Sequence, residues 1–319
     1  MKRVVASSVI LTVPLFRWSA CDDRLDNSVI SKRPIGCNLR WMSKSVNSST
    51  KSVINVEFSA TFLERCWLSI LEPLLTRCDI QEIDSVASVN SSIASDTLLI
   101  YDIDNTVFEP TGNYGSDQWF YYLNKVYRMD GLSAEDAEEK ALMLWNKTQH
   151  LITVMPVEKG IPGLIKEQQQ SGIKVIAMTA RTKEIAAITF DQLKSIDVSF
   201  QQSSVLKDDI ILIEMKSSPL LKSDLLFQDG VLFVGEKNGK GDALLMLLEK
   251  LKYHPANVVF VDDRMKHLIG TEKALGTISV PFQGFRYGGA DEKVKAFDKF
   301  TSEVLDEKAV EFFYMGKQI

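Results

Sequence analysis

Any chemistry in this chain must be built around Asp102 and Asp104, two carboxylates inside the run Leu98-Leu99-Ile100-Tyr101-Asp102-Ile103-Asp104-Asn105-Thr106-Val107. Side chains alternate along a strand with period 2, so aspartates spaced i, i+2 leave on the same side. Two carboxylates held that close repel, so one tends to ionise and the other to keep its proton. The pair offers a nucleophile or metal ligand beside an acid. Three more polar clusters sit past apolar runs or at helix starts. They are Thr179 after residues 173–178, Lys240 between Gly239 and Gly241, and Asp262-Asp263 after Val258-Val259-Phe260-Val261. Several carboxylates in one place need a cation, and carboxylate and carbonyl oxygens favour Mg²⁺. Carboxylates, Mg²⁺, a hydroxyl and an ammonium together suit transfer of a phosphoryl group.

The elements that must position these clusters follow from hydrophobic pattern and turn residues. The apolar run that empties into Asp-Asn-Thr reads as a buried strand ending in a loop. Residues 161–170 form a helix closed by Gly172, 173–178 a strand, and 183–195 a helix. Asp229-Gly230 between two apolar runs signals a hairpin over 227–234. A Gly-rich stretch then opens a helix over 243–251, followed by a strand at 258–261, a last parallel strand at 277–280 and two C-terminal helices. Strands alternating with helices predict an α/β fold with a Rossmann-like parallel sheet. The carboxyl ends of such strands gather at one edge, where ligands bind, which would bring the four clusters together. No strand is expected between Val107 and Met155. Residues 108–155 read as a helical lid inserted after the first strand, with Ser133 and Asp136 capping one of its helices.

The order Asp102-Ile103-Asp104-Asn105-Thr106, strand-Thr179, helix-start Lys240, strand-Asp262-Asp263 resembles the motif set of the haloacid dehalogenase (HAD) superfamily over about residues 96–285. The stretches Gly115-Ser116-Asp117-Gln118-Trp119-Phe120 and Gly284-Phe285-Arg286-Tyr287-Gly288 also resemble a bacterial HAD-like family of uncharacterised function. The first motif is similar to that of secreted acid phosphatases. The resemblance implies a Mg²⁺-dependent phosphomonoesterase working through an aspartyl-phosphate. Asp102 would attack phosphorus, and Asp104 would protonate the leaving oxygen and then activate water. Thr179 would hold a phosphoryl oxygen, and Lys240 would neutralise developing charge. Asp102, the backbone carbonyl of Asp104, and Asp262 would hold Mg²⁺, with Asp263 in support. Lys237 competes with Lys240, which the flanking glycines favour. Arg181 and Arg286 are candidates for touching the phosphate or leaving group, against the alternative of surface salt-bridging. Trp119 either lines the lid or packs in a core.

The substrate expected is a small phosphorylated metabolite. Two alternatives remain: a catalytically silent binding protein on the same scaffold, and a receiver-like regulator that keeps its phosphoryl group. A dehalogenase is disfavoured, because Asp104 supplies an acid that a halide leaving group does not need.

The chain has 319 residues, 45% of them apolar, and a net charge of −5, which gives no overall pull toward nucleic acid or anionic lipid. Residues 1–50 hold eight Lys/Arg against three Asp, so the remainder is acidic. Met1-Lys2-Arg3 followed by an apolar run to Phe16 fits a secretory signal and is too short to span a bilayer comfortably. Export to the periplasm or medium is therefore expected if the signal is read, and a cytoplasmic protein if it is not. Residues 22–52 read as a polar linker, and 53–95 as a helical extension before a core over 96–319. The cysteines at 21, 37, 66 and 78 match no zinc signature, and a Cys66–Cys78 disulfide requires export. His150, His254 and His267 are scattered and read as surface or core residues.

Overall fold

The computed structural model describes residues 80–203 and 210–297. The signal-like start, the linker, all four cysteines and the second C-terminal helix lie outside these residues.

An eight-stranded sheet carries the site. In chain order its strands are β1 (Ile80–Ile83), β2 (Thr97–Tyr101), β5 (Lys174–Thr179), β6 (Ile211–Ile213), β7 (Leu225–Gln228), β8 (Val231–Phe233), β9 (Asn257–Asp262) and β10 (Phe282–Tyr287). Their spatial order is β1-β10-β9-β2-β5-β8-β7-β6. All pairings are parallel except those of β7 with its two neighbours. The α/β fold with a mostly parallel sheet is as the sequence pattern predicts.

Both faces of the central strands are covered. Leu99, Tyr101, Val175, Ala177, Val259 and Val261 enter one core cluster. The alternating Leu98, Ile100, Ile176, Met178, Val258 and Phe260 enter the other. This is why β2 and β9 read as continuous apolar runs. The helices α3 (Ile161–Gln170), α4 (Ala186–Ser195), α5 (Lys240–Leu251), α6 (Met265–Gly276) and α7 (Asp291–Phe297) connect or follow the strands. The β7–β8 turn places Asp229 and Gly230 at φ 48° and 78°, the left-handed pair that a two-residue hairpin requires.

Three expectations need correcting. Residues 80–83 are not part of a helical extension. They form an edge strand parallel to β10, with Ile80 opposite Gly284. Its outward-facing Gln81 and Glu82 are the polar residues that an open sheet edge tolerates. Residues 277–280 are not a strand either. They close α6, with the Thr277 and Val280 amides donating to the Ala274 and Leu275 carbonyls, and Ser279 turns at φ 55°. The last parallel strand is β10, beyond Pro281. Finally, the stretch after β2 does contain strands: β3 (Phe108–Pro110) pairs antiparallel with β4 (Val154–Pro156). Three-residue strands carry too little periodicity to be read from sequence.

Between β3 and β4 run two helices, α1 (Asp117–Met129) and α2 (Ala134–Gln149). They bury Trp119, Phe120, Leu123, Ala141, Leu144 and Trp145 against each other and against Ile185 of the core domain. Ser116 caps α1 through the Trp119 amide, and Ser133 caps α2 through the Asp136 amide.

Candidate active site

The register of the sheet puts the first and last acidic motifs side by side. Tyr101 lies opposite Val261, and the Asp102 amide donates to the Val261 carbonyl at 2.9 Å. Asp102 and Asp262 therefore leave adjacent strands at the same level. Lys240 reaches them from the first turn of α5. Its Nζ lies 2.7 Å from Asp102 Oδ1 and 2.8 Å from Asp262 Oδ2, with the side chain 2% exposed. Burying an ammonium costs several kcal/mol of desolvation unless it is paired, and here it has two carboxylates. Lys237 is exposed, so geometry assigns the cluster's lysine to position 240.

Backbone packing holds Lys240 in place. Gly239 precedes α5 with extended dihedrals. A Cβ on Gly241 would come within 2.5 Å of the Gly270 carbonyl oxygen in α6. Only glycine lets these two helices approach that closely. Asn238 knots the loop before α5, donating to the Val234 carbonyl and to the carbonyl and hydroxyl of Ser223.

Asp104 faces a different cation. Arg181 Nε and Nη2 donate to its two carboxylate oxygens, each at 2.8 Å. The remaining guanidinium N–H groups go to Thr189, Gln192 and Gln149. The guanidinium also stacks between the rings of Phe108 and Trp145 at 5.0 and 5.2 Å. Arg181 is thus a buried positioning residue rather than a phosphate ligand or a surface salt bridge. Asp102 and Asp104 thus each face a cation of their own, Lys240 and Arg181. Burial is the main force that raises the Asp102 carboxyl, the Lys240 ammonium opposes it, and Asp104 contributes least.

Thr179 ends β5, beside β2, fully buried, with its hydroxyl accepting from the Arg181 amide. Asp263 accepts from the Asn105 side chain through Oδ2 at 3.3 Å. Its Oδ1 is buried and has no partner among the described residues. Burial and the charges of Asp262 and Asp102 push this carboxyl well up. Arg286 stands apart. It donates to the Asp263 carbonyl, pairs with Asp291 through both Nη atoms, and reaches Glu82, so it ties a loop to α7 instead of lining the site. Trp119 packs inside the helical pair.

The structure adds residues that the sequence reading left out. His267 Nδ1 lies 3.1 Å from Asp262 Oδ2. Asp102, Asp262 and His267 each offer a ligand atom, all within 4.8 Å of one another. Burial and the nearby Lys240 push His267 down to about 4, so it is neutral at pH 7. A cavity of about 40 Å³ lies over the cluster, lined by Asp102, Asp104 and His267 below and by Asp117, Tyr121, Glu236 and Arg264 above. Its volume holds a few waters. Burial and the Asp104 charge push Asp117 up to about 7. Asp117 was visible in sequence only as part of a resembling stretch, and His267 and Arg264 had no signal of their own.

Residues 79–318 match a family described as "Protein of unknown function (DUF2608)". The chain belongs to this family. Relatives include a "Putative outer membrane protein" of Chlamydia trachomatis serovar D, 26% identical over 68% of this chain and 81% of that protein. Another, from Chlamydia pneumoniae, is 25% identical over 71% of this chain and 82% of that protein. Among the described residues, no helix is long and apolar enough to cross a membrane. Similar solved structures include a HAD-superfamily hydrolase of subfamily IA from Geobacter sulfurreducens, with TM-score 0.34 and 14% identity over 63% of this chain and 96% of that one. A phosphoserine phosphatase bearing a phospho-aspartyl intermediate analogue gives TM-score 0.32 and 15% identity over 62% and 97%.

Proposed function

We propose that this DUF2608 protein is a phosphohydrolase that acts on small phosphomonoesters through an aspartyl-phosphate on Asp102. The observation that carries this reading is the buried Asp102–Lys240–Asp262 bridge at the carboxyl ends of β2 and β9. It holds a carboxylate nucleophile beside a fixed ammonium, both buried, where charge on a phosphoryl group is well stabilised. The free oxygen of Asp102 forms a bond to phosphorus as the ester P–O bond breaks, and the leaving oxygen takes a proton from a water in the cavity. Water then attacks the phosphoryl group, giving its proton to a carboxylate, and frees Asp102. Asp104, which accepts from Arg181 through both oxygens, is oriented for that second, proton-accepting step.

The donor set fits Mg²⁺: hard carboxylate oxygens from Asp102, Asp262 and Asp263, including the buried, unpartnered Asp263 Oδ1. The Asp104 carboxylate is taken by Arg181, so only its backbone carbonyl remains for such a role. When bound, the ion supplies charge neutralisation for the incoming phosphate.

The test is repeated release of phosphate from p-nitrophenyl phosphate with Mg²⁺. Asp102→Asn keeps an acceptor for Lys240 and is expected to lose roughly 10³-fold or more in turnover while still folding. EDTA is expected to stop the reaction and added Mg²⁺ to restore it. Full activity in Asp102→Asn, or indifference to EDTA, removes the mechanism. Lasting label without turnover identifies a receiver-like protein, and no reaction a silent scaffold. The relatives' names and the signal-like start support export, which N-terminal sequencing of the mature protein would check.

A further inference from the structure

Arg264 is the pocket's uncommitted cation. Arg181, the other arginine lining this pocket, spends every N–H on protein partners. Arg264 donates through Nη1 to the Tyr121 hydroxyl and stacks over that ring at 4.7 Å. Its other guanidinium N–H groups have no partner among the described residues. Its backbone is fixed by the amide, which donates to Asp262 Oδ1 at 2.7 Å.

Its place in the pocket says which end of a substrate it meets. Asp102 and Thr179 lie at strand ends and Lys240 at the start of α5, where the transferred phosphoryl group would sit. The guanidinium of Arg264 lines the same cavity against Tyr121 of α1, in the helical pair rather than the sheet. We propose that Arg264 binds a carboxylate on the alcohol part of the substrate, so that the substrates are phosphomonoesters of small hydroxy acids. The proposal rests on the phosphohydrolase reading and narrows it. A planar guanidinium fork matches a carboxylate through two parallel hydrogen bonds. The two acids nearby do not cancel the arginine at full strength, because burial pushes both Asp117 and Glu236 upward.

The experiment compares matched substrates with the full-length protein and Mg²⁺. Phosphoglycolate and phospholactate carry the carboxylate, ethyl and isopropyl phosphate lack it, and phosphoethanolamine carries an ammonium instead. The wild type is expected to favour the carboxylate-bearing member of each pair by tenfold or more in kcat/KM. Arg264→Gln should bring that ratio close to one, chiefly through KM, and Arg264→Lys should keep part of it. A merely structural role lowers all substrates together and leaves the ratio intact, which overturns the proposal. Preference for phosphoethanolamine overturns it too. If nothing is hydrolysed, calorimetric binding of phosphoglycolate decides. Binding that Arg264→Gln abolishes leaves this inference standing and removes the phosphohydrolase reading, and absence of binding in the wild type removes this inference as well.

Discussion

Arg181 directs all its N–H groups into the protein, and that decides what its loss would do. Asp104, Thr189, Gln192 and Gln149 would each lose a partner, and Asp104 would be left as a buried, unpaired carboxylate. Removing one member of such a pair costs about 3–5 kcal/mol. Arg181→Met is therefore expected to lower the denaturant midpoint sharply, and Arg181→Lys, which cannot reproduce the fork, to rescue little of it. A near-neutral Arg181→Met would show that the clamp is not formed in solution. His267 gives a pH-dependent counterpart. Its folded value of about 4 lies below the ordinary imidazole value of 6.5, so the folded state prefers the neutral ring. That preference contributes fully above about pH 6.5 and is lost as pH falls toward 4, at up to about 1.4 kcal/mol per unit. Asp262, lowered to about 2, contributes above its ordinary value of 3.8, so its loss begins only at lower pH. Metal-free wild type should therefore lose stability between pH 6.5 and 4 more steeply than His267→Gln. Parallel stability curves for the two proteins would contradict the buried, neutral imidazole.

The elements show which parts of this arrangement a sequence can reveal. Gly241 is needed because α5 and α6 touch there, and a Cβ would meet the Gly270 carbonyl oxygen at 2.5 Å. Gly241→Ala must push the helices apart, at a cost of about 1–3 kcal/mol. The displacement falls on Lys240, so turnover should drop further than stability alone explains. At Gly239 a Cβ meets only the mobile Asp242 carboxylate at 3.1 Å, so Gly239→Ala is the milder control. Equal effects of the two substitutions on turnover would separate the helix contact from the site. The same local logic made the Asp229-Gly230 hairpin, the Ser133 cap and the apolar runs of β2 and β9 legible, since each depends on neighbours in sequence. It failed where tertiary partners decide. The strand propensity of residues 277–280 gave way to closing a helix, and β1 exists because β10 offers it an edge. Arg181 and Arg286 looked alike in sequence, yet a pocket wall buries one and an acidic partner on α7 holds the other. His267 and Arg264 enter the site only because α6 starts where β9 ends.

At the scale of the whole molecule, the helical pair sits over the strand ends and its attachments set access. Gln149, at the end of α2, accepts from Arg181, and its carbonyl accepts from Gln192 of α4. Those contacts are buried and belong to the Asp104 clamp, so that end of the pair is anchored. The other end is held by Tyr121 of α1, whose hydroxyl accepts from Arg264 and donates to Glu236 at 3.3 Å. These bonds are exposed, and the space beneath them, about 40 Å³, is smaller than a phosphomonoester needs. On the proposed function, admission of such a substrate would need α1 to lift about the anchored end, breaking the Tyr121 bonds and keeping those of Gln149. Tyr121→Phe removes both hydroxyl bonds and keeps the ring. Each is worth about 1 kcal/mol at most in this setting. Amide exchange over α1 should therefore speed by roughly five- to thirtyfold, while β2 and β9 stay as protected as before. Exchange that accelerates equally in α1 and α2 would place the hinge elsewhere, and unchanged exchange in α1 would mean that Tyr121 does not hold the pair down.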